Sequence, residues 1–318
     1  MSKQKFDDLL TMIEIRNYEF VTVTGPDAKA FLQGQVTCDV EKLSENSALA
    51  GAICNLKGRV IADFLLALDG EDCVLRTQSG MAGIIKNTLA KYAIFSKVEL
   101  STETRFTKVL GAMADEDEAF LSNNIEKLPE CALACHISNQ AIFVRIPGKD
   151  KRLEVWVHDE RRFEDWVIDH DSDAEESWNK KDILQGFIHI SPQLSEEHTP
   201  QALNYDLSGI IDFSKGCYTG QEIIARMYYR GSAKKRLSLL LSKSLIEQDS
   251  EVIQRQGEKT RTSKILAFSN SPNEFENSAL LSILDIASEE SSFSLSTQTD
   301  EEQELNLQSL SYPLTDDQ

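Results

Sequence analysis

Apolar and polar positions divide the chain into a long stretch of mixed strand and helix patterns and a final stretch of short strand patterns alone. Phe20-Val21-Thr22-Val23-Thr24 is rich in β-branched residues and predicts a strand, which Gly25-Pro26-Asp27 turns. Residues 27–36 place Ala28, Phe31 and Leu32 on one side, the spacing of a short amphipathic helix. Residues 50–56, 59–68 and 73–77 read as three strands. Asn55-Leu56-Lys57-Gly58 and Leu68-Asp69-Gly70-Glu71 supply the turns, and the Asp-Gly pair in the second is a hairpin signal. Residues 80–91 carry Met81, Ile84, Ile85 and Leu89 at helical spacing, and residues 92–98 lead into the next strand. Strands are then expected over 106–112, 131–137, 141–146 and 153–158. Between and after them the pattern predicts a surface helix and loop over 115–128, a helix over 161–169, an acidic loop over 171–176 and a helix over 178–186 that Gly186 ends. Residues 188–203, with Pro192 and Pro200, are irregular.

Strands and helices mix without a regular βαβ rhythm, so the fold class is α+β. After Gly231 the pattern changes. Residues 236–241, 251–254, 262–267, 280–286, 293–296 and 305–307 read as short strands with turn residues between them, the signature of a small all-β barrel. The boundary is expected at 229–233, giving an α+β region over residues 1–230 and a barrel domain over 231–318. A cleft between such units is a common place for a ligand.

Composition narrows the function. The chain has 318 residues, 41% of them hydrophobic, enough to bury real cores. Its mean hydropathy is −0.32, and no apolar run approaches the roughly 18 residues of a membrane helix. The first ten residues carry Lys3, Lys5, Asp7 and Asp8 and no apolar segment of a signal peptide. Six scattered cysteines without such a signal fit free thiols in a reducing cytoplasm. The net charge is −19, which argues against tight direct nucleic-acid binding, since that needs a basic face to release counterions. No Lys or Arg follows Lys264, whereas Lys215, Arg226, Arg230, Lys234, Lys235 and Arg236 crowd one region. That region is either a place for an anionic ligand or partner, or a solvated helix end and loop.

The most distinctive stretch lies at the start of this basic region: Lys215-Gly216-Cys217-Tyr218-Thr219-Gly220-Gln221-Glu222, followed by a helical pattern. Two glycines permit a tight loop. A cysteine just ahead of a helix N-terminus, with a lysine two residues before it, has the surroundings that favour a thiolate. A small buried cysteine in a glycine-rich turn is the alternative from spacing alone.

The octapeptide resembles the signature of the YgfZ family of folate-binding proteins, relatives of the glycine-cleavage T-protein aminomethyltransferases. Gly34-Gln35-Val36-Thr37-Cys38-Asp39-Val40 after the first helix and Lys91-Tyr92-Ala93-Ile94-Phe95-Ser96-Lys97-Val98 resemble it too. The resemblance is weak over about residues 102–175 and in the acidic tail. It implies a T-protein-like fold of two interleaved α+β subdomains with a C-terminal barrel around a central folate cleft. It implies tetrahydrofolate or a derivative as cofactor, flanked by aromatics at Tyr18 and Trp178. The family typically has Trp where this chain has Tyr18. It further implies a factor that supports iron–sulfur enzymes or assembly proteins, such as a tRNA methylthiotransferase, and so acts in tRNA modification. On this reading Cys217 is the reactive thiol and Lys215 its activating cation, Gly216 and Gly220 shape the loop with Tyr218 in its core, and Gln221 and Glu222 hold its geometry.

Other candidates are weaker as sequence. Cys131, Cys135 and His136 have the spacing of half a zinc site, but no second pair exists, so two thiols sharing one face of a strand is the plainer reading. His189 and His198 lie near the octapeptide without an orienting acid at a telling spacing. The T-protein enzymes carry an acid near the cleft. In Gly58-Arg59-Val60-Ile61-Ala62-Asp63 the single acid reads as a structural or surface residue of its strand. Aminomethyl transfer is therefore the alternative function, and a non-catalytic scaffold for iron–sulfur assembly partners is the other.

Overall fold

The computed structural model describes residues 11–113, 125–163, 166–231, 233–270, 278–288, 290–296 and 302–312. It is α+β, with two open sheets stacked face to face and a closed C-terminal barrel.

The first sheet has six strands in the order β11-β1-β7-β10-β9-β8. They are β1 (Thr11–Ile15), β7 (Lys108–Met113), β8 (Cys135–Ile137), β9 (Ala141–Arg145), β10 (Arg152–Val157) and β11 (Val167–Asp169). The second has five in the order β3-β4-β5-β2-β6: β2 (Tyr18–Thr24), β3 (Leu49–Cys54), β4 (Val60–Asp69), β5 (Asp72–Gln78) and β6 (Glu99–Ser101). The chain leaves the first sheet after β1, builds the second, and returns for β7, so the two units are interleaved. Helices α1 (Ala28–Gln33) and α2 (Ala82–Ala90) cover the outer face of the second sheet, and Phe31, Leu32, Ile85 and Leu89 pack into its core. Helix α3 (Ser172–Gln185) runs between the sheets and the barrel, and α4 (Gln221–Arg230) follows the octapeptide.

Alternation along the strands explains where the cores lie. On β10, Leu153, Val155 and Val157 face a core on the far side of the first sheet. Glu154 and Trp156 face the space between the sheets. There Trp156 joins Phe20, Leu65, Val74, Phe106 and Ile142 in a second apolar cluster. The ring of Phe20 stacks on Phe106 at 4.6 Å. Trp178 of α3 closes one end of this cluster. It sits so close to β7 that a Cβ at Gly111 would lie 2.7 Å from its ring.

The barrel runs β12 (Lys235–Ser242), β15 (Ser278–Asp285), β14 (Lys259–Ser269), β13 (Glu251–Gln256), β16 (Ser291–Ser296) and β17 (Gln303–Gln308) in closing order. Its interior holds Leu240, Val252, Leu280, Phe293, Leu295 and Leu305. It is tied to the rest by a buried Arg236–Asp206 ion pair at 2.6 Å and by the Tyr312 hydroxyl donating to the Gly186 carbonyl at 2.8 Å.

Three sequence expectations are corrected. The helix expected over 161–169 is a short 3-10 turn, Glu160–Phe163, and then strand β11, because the β-branched Val167 and Ile168 find an unpaired edge on β1. The acidic loop over 171–176 is instead the first turn of α3. Asp171 caps that helix by accepting from the Asp173 N–H at 3.1 Å, and Asp173 and Glu175 sit where the dipole favours negative charge. The strand over 131–137 is reduced to Cys135–Ile137, since Leu133 takes a positive φ of 62° and the chain turns there. Cys131 is consequently exposed and Cys135 buried, not two thiols on one strand face. Most of the helix and loop expected over 115–128 lies outside the described residues.

Candidate functional site

Where the two sheets diverge they leave a cavity of about 260 Å³. One wall is apolar, with Leu65, Leu133, Ile146, Phe187 and Ile210. The other carries Asp63, Arg76, Glu154, Asp182 and His189. Asp63, Arg76 and Glu154 are there because their strands send an inter-sheet position into this gap, and Asp182 and His189 come from α3 and the segment after it.

Asp63 lies on the inner face of β4, in the middle of a strand that is otherwise apolar up to its last residue, Asp69, and is 7% exposed. Its Oδ1 accepts from the Ile190 N–H at 2.6 Å, and its Oδ2 lies 2.7 Å from His189 Nδ1. His189 Nε2 lies 3.5 Å from Asp182 Oδ2. Arg152 Nη2 donates to Asp182 Oδ1 at 2.6 Å. Burial alone would lower the His189 pKa. The Asp63 charge and the hydrogen bonds that the ring donates to both carboxylates override it and lift the pKa to about 10, so the imidazole is a cation at neutral pH. Asp182 is held well below the usual carboxylate range: burial works the other way and is outweighed by Arg152 and His189.

A second pair stands opposite. Arg76 from β5 binds Glu154 from β10 through two parallel hydrogen bonds, Nε to Oε2 at 3.1 Å and Nη2 to Oε1 at 2.8 Å. The Trp156 indole N–H donates to the same carboxylate at 3.0 Å. Tyr18 lies with its ring 3.9 Å from the Arg76 guanidinium carbon and edge-on to His189 at 5.9 Å. With His189 protonated, three carboxylates (Asp63, Glu154, Asp182) face three cations (Arg76, Arg152, His189), so the polar wall balances its own charge.

Tyr18 thus buttresses this wall. Trp178 is 1% exposed, lies beneath Arg152 at 4.9 Å, and does not line the cavity. Its N–H has no hydrogen-bond partner among the described residues. Asp63 is not the surface acid that the sequence allowed: it is buried, faces the cavity and holds the Ile190 N–H and His189. His189 has two orienting acids, both invisible in sequence spacing because Asp63 comes from a strand 126 residues earlier. His198 is elsewhere, beside β4, and its carbonyl accepts from the Val60 N–H at 2.9 Å. Arg76, Glu154, Arg152 and Asp182 were missed. Their one sequence signal is a charged residue at an inward position of an apolar strand, or, for Asp182, beside Ile183 on a helix.

The octapeptide forms a separate site. The Lys215 ammonium donates to the carbonyls of Gln33, Val36 and Cys38 at 2.7, 2.7 and 2.9 Å, and lies 5.0 Å over the Tyr218 ring. Its hydrogen-bonding capacity is therefore spent on holding the loop to the end of α1, not turned to Cys217; burial also lowers its pKa. Thr219 completes the attachment, its N–H to the Gly34 carbonyl at 3.1 Å and its hydroxyl to the Gln35 side chain at 3.0 Å. Tyr218 is buried, Gln221 donates its N–H to the Tyr218 carbonyl, Glu222 is exposed in the first turn of α4, and Cys217 is exposed. No residue of Lys215–Glu222 lines the cavity, and neither does Tyr18 or Trp178.

The two glycines of the loop are not equivalent. Gly220 has φ +84°, and a Cβ there would lie 2.5 Å from the Asn55 carbonyl oxygen. Gly216 has open space around it. Gly220→Ala is expected to cost about 1–3 kcal/mol, and Gly216→Ala less than about 0.5 kcal/mol, measured by urea unfolding.

No family model matches the chain. Curated proteins do. The chain is 33% identical over 268 residues to "tRNA-modifying protein YgfZ" of Hamiltonella defensa, covering 81% of this chain and 78% of that one. It is 33% identical over 234 residues to the protein of the same name from Vibrio atlanticus, covering 73% and 69%. The corresponding protein of Escherichia coli is 30% identical over 269 residues, with 81% of each chain covered. Among solved structures, the glycine cleavage system aminomethyltransferase T from Bartonella henselae superposes with a TM-score of 0.74 over 95% of this chain and 86% of that one. At 13% identity that likeness concerns the fold. With relatives at this identity sharing most of their length, the chain belongs to the YgfZ family.

Proposed function

We propose that this protein is a folate-dependent factor in tRNA modification, working through an iron–sulfur enzyme of that pathway rather than on bare tRNA. The observation that carries the folate part is the two-walled cavity. Its apolar wall suits the faces of a flat ring system. The carboxylates of Asp63 and Glu154, each buried and oriented, suit ring N–H and amino donors such as those of a pterin. At about 260 Å³ it lies just below the usual range of small-molecule sites, the size of a ring head rather than of a whole folate. When bound, tetrahydrofolate would supply a one-carbon unit or a reducing pterin. The protein's part is to orient it, with His189 held as a cation and Tyr18 fixing Arg76. The tRNA part comes from the names of the relatives. The net charge of −19 favours an indirect route. Residues 1–230 would form the ligand-holding region and 231–318 the barrel domain.

Cys217 is the proposed working thiol, exposed on a loop whose backbone is fixed by Lys215 and Thr219. In cells lacking their own copy, the wild-type protein should restore the 2-methylthio content of tRNA and Cys217→Ala should not. Isothermal titration should show tetrahydrofolate saturating both proteins equally, while Asp63→Asn weakens binding about tenfold. Full rescue by Cys217→Ala would remove the thiol from the mechanism, and absence of saturable folate binding would remove the cofactor. Asp63 in the cavity also supports a second reading, one-carbon transfer, for which turnover of an amine donor with tetrahydrofolate is the test.

A further inference from the structure

One stretch singled out in the sequence has no part in the function above. Residues Ala93–Phe95 form a 3-10 turn after α2. Ala93 packs against the body core, which turns its neighbours outward. Phe95 is 97% exposed, Ile94 78% and Tyr92 38%. The turn is held in place. The Tyr92 N–H donates to the Leu89 carbonyl at 2.9 Å, the Ser96 N–H to that of Ala93 at 3.0 Å, and the Lys97 N–H to the Asp27 carboxylate at 2.7 Å. Leaving a Phe or Ile side chain in water rather than burying it forgoes about 1.5–3 kcal/mol each, and here two stand side by side on a fixed turn.

A depression of about 270 Å³ joins this turn to the loop of Cys217. Tyr92 and Lys91 line it on one side, Leu56 and Lys57 on another, and Thr219, two residues from the exposed Cys217, on a third. Leu56 is itself 73% exposed. Neither Lys57 nor Lys91 has an acidic partner among the described residues. Glu196 is the one acid in the lining. On a chain of net charge −19 this is an apolar face rimmed by free cations.

We propose that Leu56, Tyr92, Ile94 and Phe95, with Lys57 and Lys91 at the rim, form a docking face for a protein partner whose own face is apolar at the centre and acidic at the edge, and that docking brings that partner to Cys217. The aliphatic Leu56 and Ile94 favour a protein face over nucleic acid, which would use stacking rings and phosphate contacts. The identity of the partner as an iron–sulfur tRNA-modifying enzyme rests on the function proposed above.

The test places a photocrosslinking phenylalanine analogue at position 95 of the full chain, mixed with the purified tRNA methylthiotransferase of the same organism. The expected result is a crosslink at position 95. The same analogue at Leu245, 71% exposed on the segment after β12, should give none. Ile94→Asp with Phe95→Asp should weaken binding at least tenfold, and so should Lys57→Glu with Lys91→Glu. The melting temperature should stay unchanged, since these side chains are exposed. A crosslink only to a second copy of the chain, equal crosslinking at both positions, or none at all would overturn the docking face. If in that case Cys217→Ala still abolishes methylthiolation, the proposed function stands and only the docking face falls. If Cys217→Ala is also silent, the docking face falls together with the thiol's part in the proposed function.

Discussion

Glu154→Ala is expected to lower the free energy of unfolding by about 3–5 kcal/mol, the range for breaking a buried ion pair from one side. That is a large share of the 5–15 kcal/mol by which native proteins are typically stable. The side chains of Arg76 and Glu154 are 3% and 1% exposed, and two hydrogen bonds join them across the gap between the sheets. Truncating Glu154 leaves the guanidinium buried against the Tyr18 ring, and it strips the Trp156 indole of its acceptor. Each loss is a desolvated group without a partner. An exposed pair such as Arg161–Asp159, at a similar distance, is worth at most about 1 kcal/mol. Arg76→Met with Glu154→Leu should recover most of the loss, because replacing both charges removes the desolvation cost together with the attraction. Urea unfolding of the single and double variants at pH 7 closes the cycle. A loss below about 1 kcal/mol for Glu154→Ala would mean that water entering the cavity solvates Arg76, and that the polar wall is wet rather than sealed.

Stability is expected to fall as pH rises from 6.5 towards 10, by an amount on the order of a few kcal/mol, and His189 is the cause. Its folded pKa of about 10 lies above the ordinary 6.5. Its contribution is therefore complete below pH 6.5, shrinks between 6.5 and 10, and is gone above 10. The groups facing it are Asp63 at 2.7 Å, Asp182 at 3.5 Å and the Tyr18 ring edge. Its side chain is 26% exposed, which screens part of the interaction. Buried thiols add a second decline. Burial pushes Cys38 and Cys54 up to about 12 and Cys73 and Cys135 up to about 11, so unfolding releases their protons once pH reaches the ordinary thiol range. Between pH 6.5 and 8.5 the fall belongs to His189, while His158 and His198, whose pKa values burial lowers, add a shallow opposing rise near the lower end. Urea midpoints across that interval should fall for the wild type and stay level or rise slightly for His189→Gln. A level wild-type profile would show that His189 is neutral at pH 7 and that Asp63 and Asp182 do not hold a cation between them.

Both results bear on how the cavity was and was not legible. Tyr18, expected as an aromatic flanking a ligand, lies behind the polar wall with its ring against Arg76 and does not itself line the cavity. Trp178 was picked on the same ground and lies in the core, under Arg152 and against Gly111. An aromatic residue on a helix carries no sign of whether it points to a gap or to packed neighbours. Asp63 was read as a surface or structural acid, since one acid in a strand says nothing of what its other face meets. Lys215, two positions before Cys217, is expected to activate the thiol, whereas the loop turns its ammonium onto the carbonyls that end α1.

The sequence by itself determined the local structure and the class. Apolar patterning placed most strands of the two sheets and the barrel, though not β1 or β11, because strand propensity and side-chain periodicity depend only on neighbours along the chain. Gly186 ends α3 as expected, because a cap acts on adjacent backbone groups. The octapeptide marked the family, and its Gly220 is required by its own backbone angle. What the tertiary structure decided was the site. Asp63, Arg76, Glu154, Asp182 and His189 come from three strands and the helix and loop that pack on them, and the gap they face exists only where two sheets diverge. Coulomb energies and desolvation follow distance in space, and contacts such as Asp63 to His189, 126 residues apart, appear only once the chain has folded.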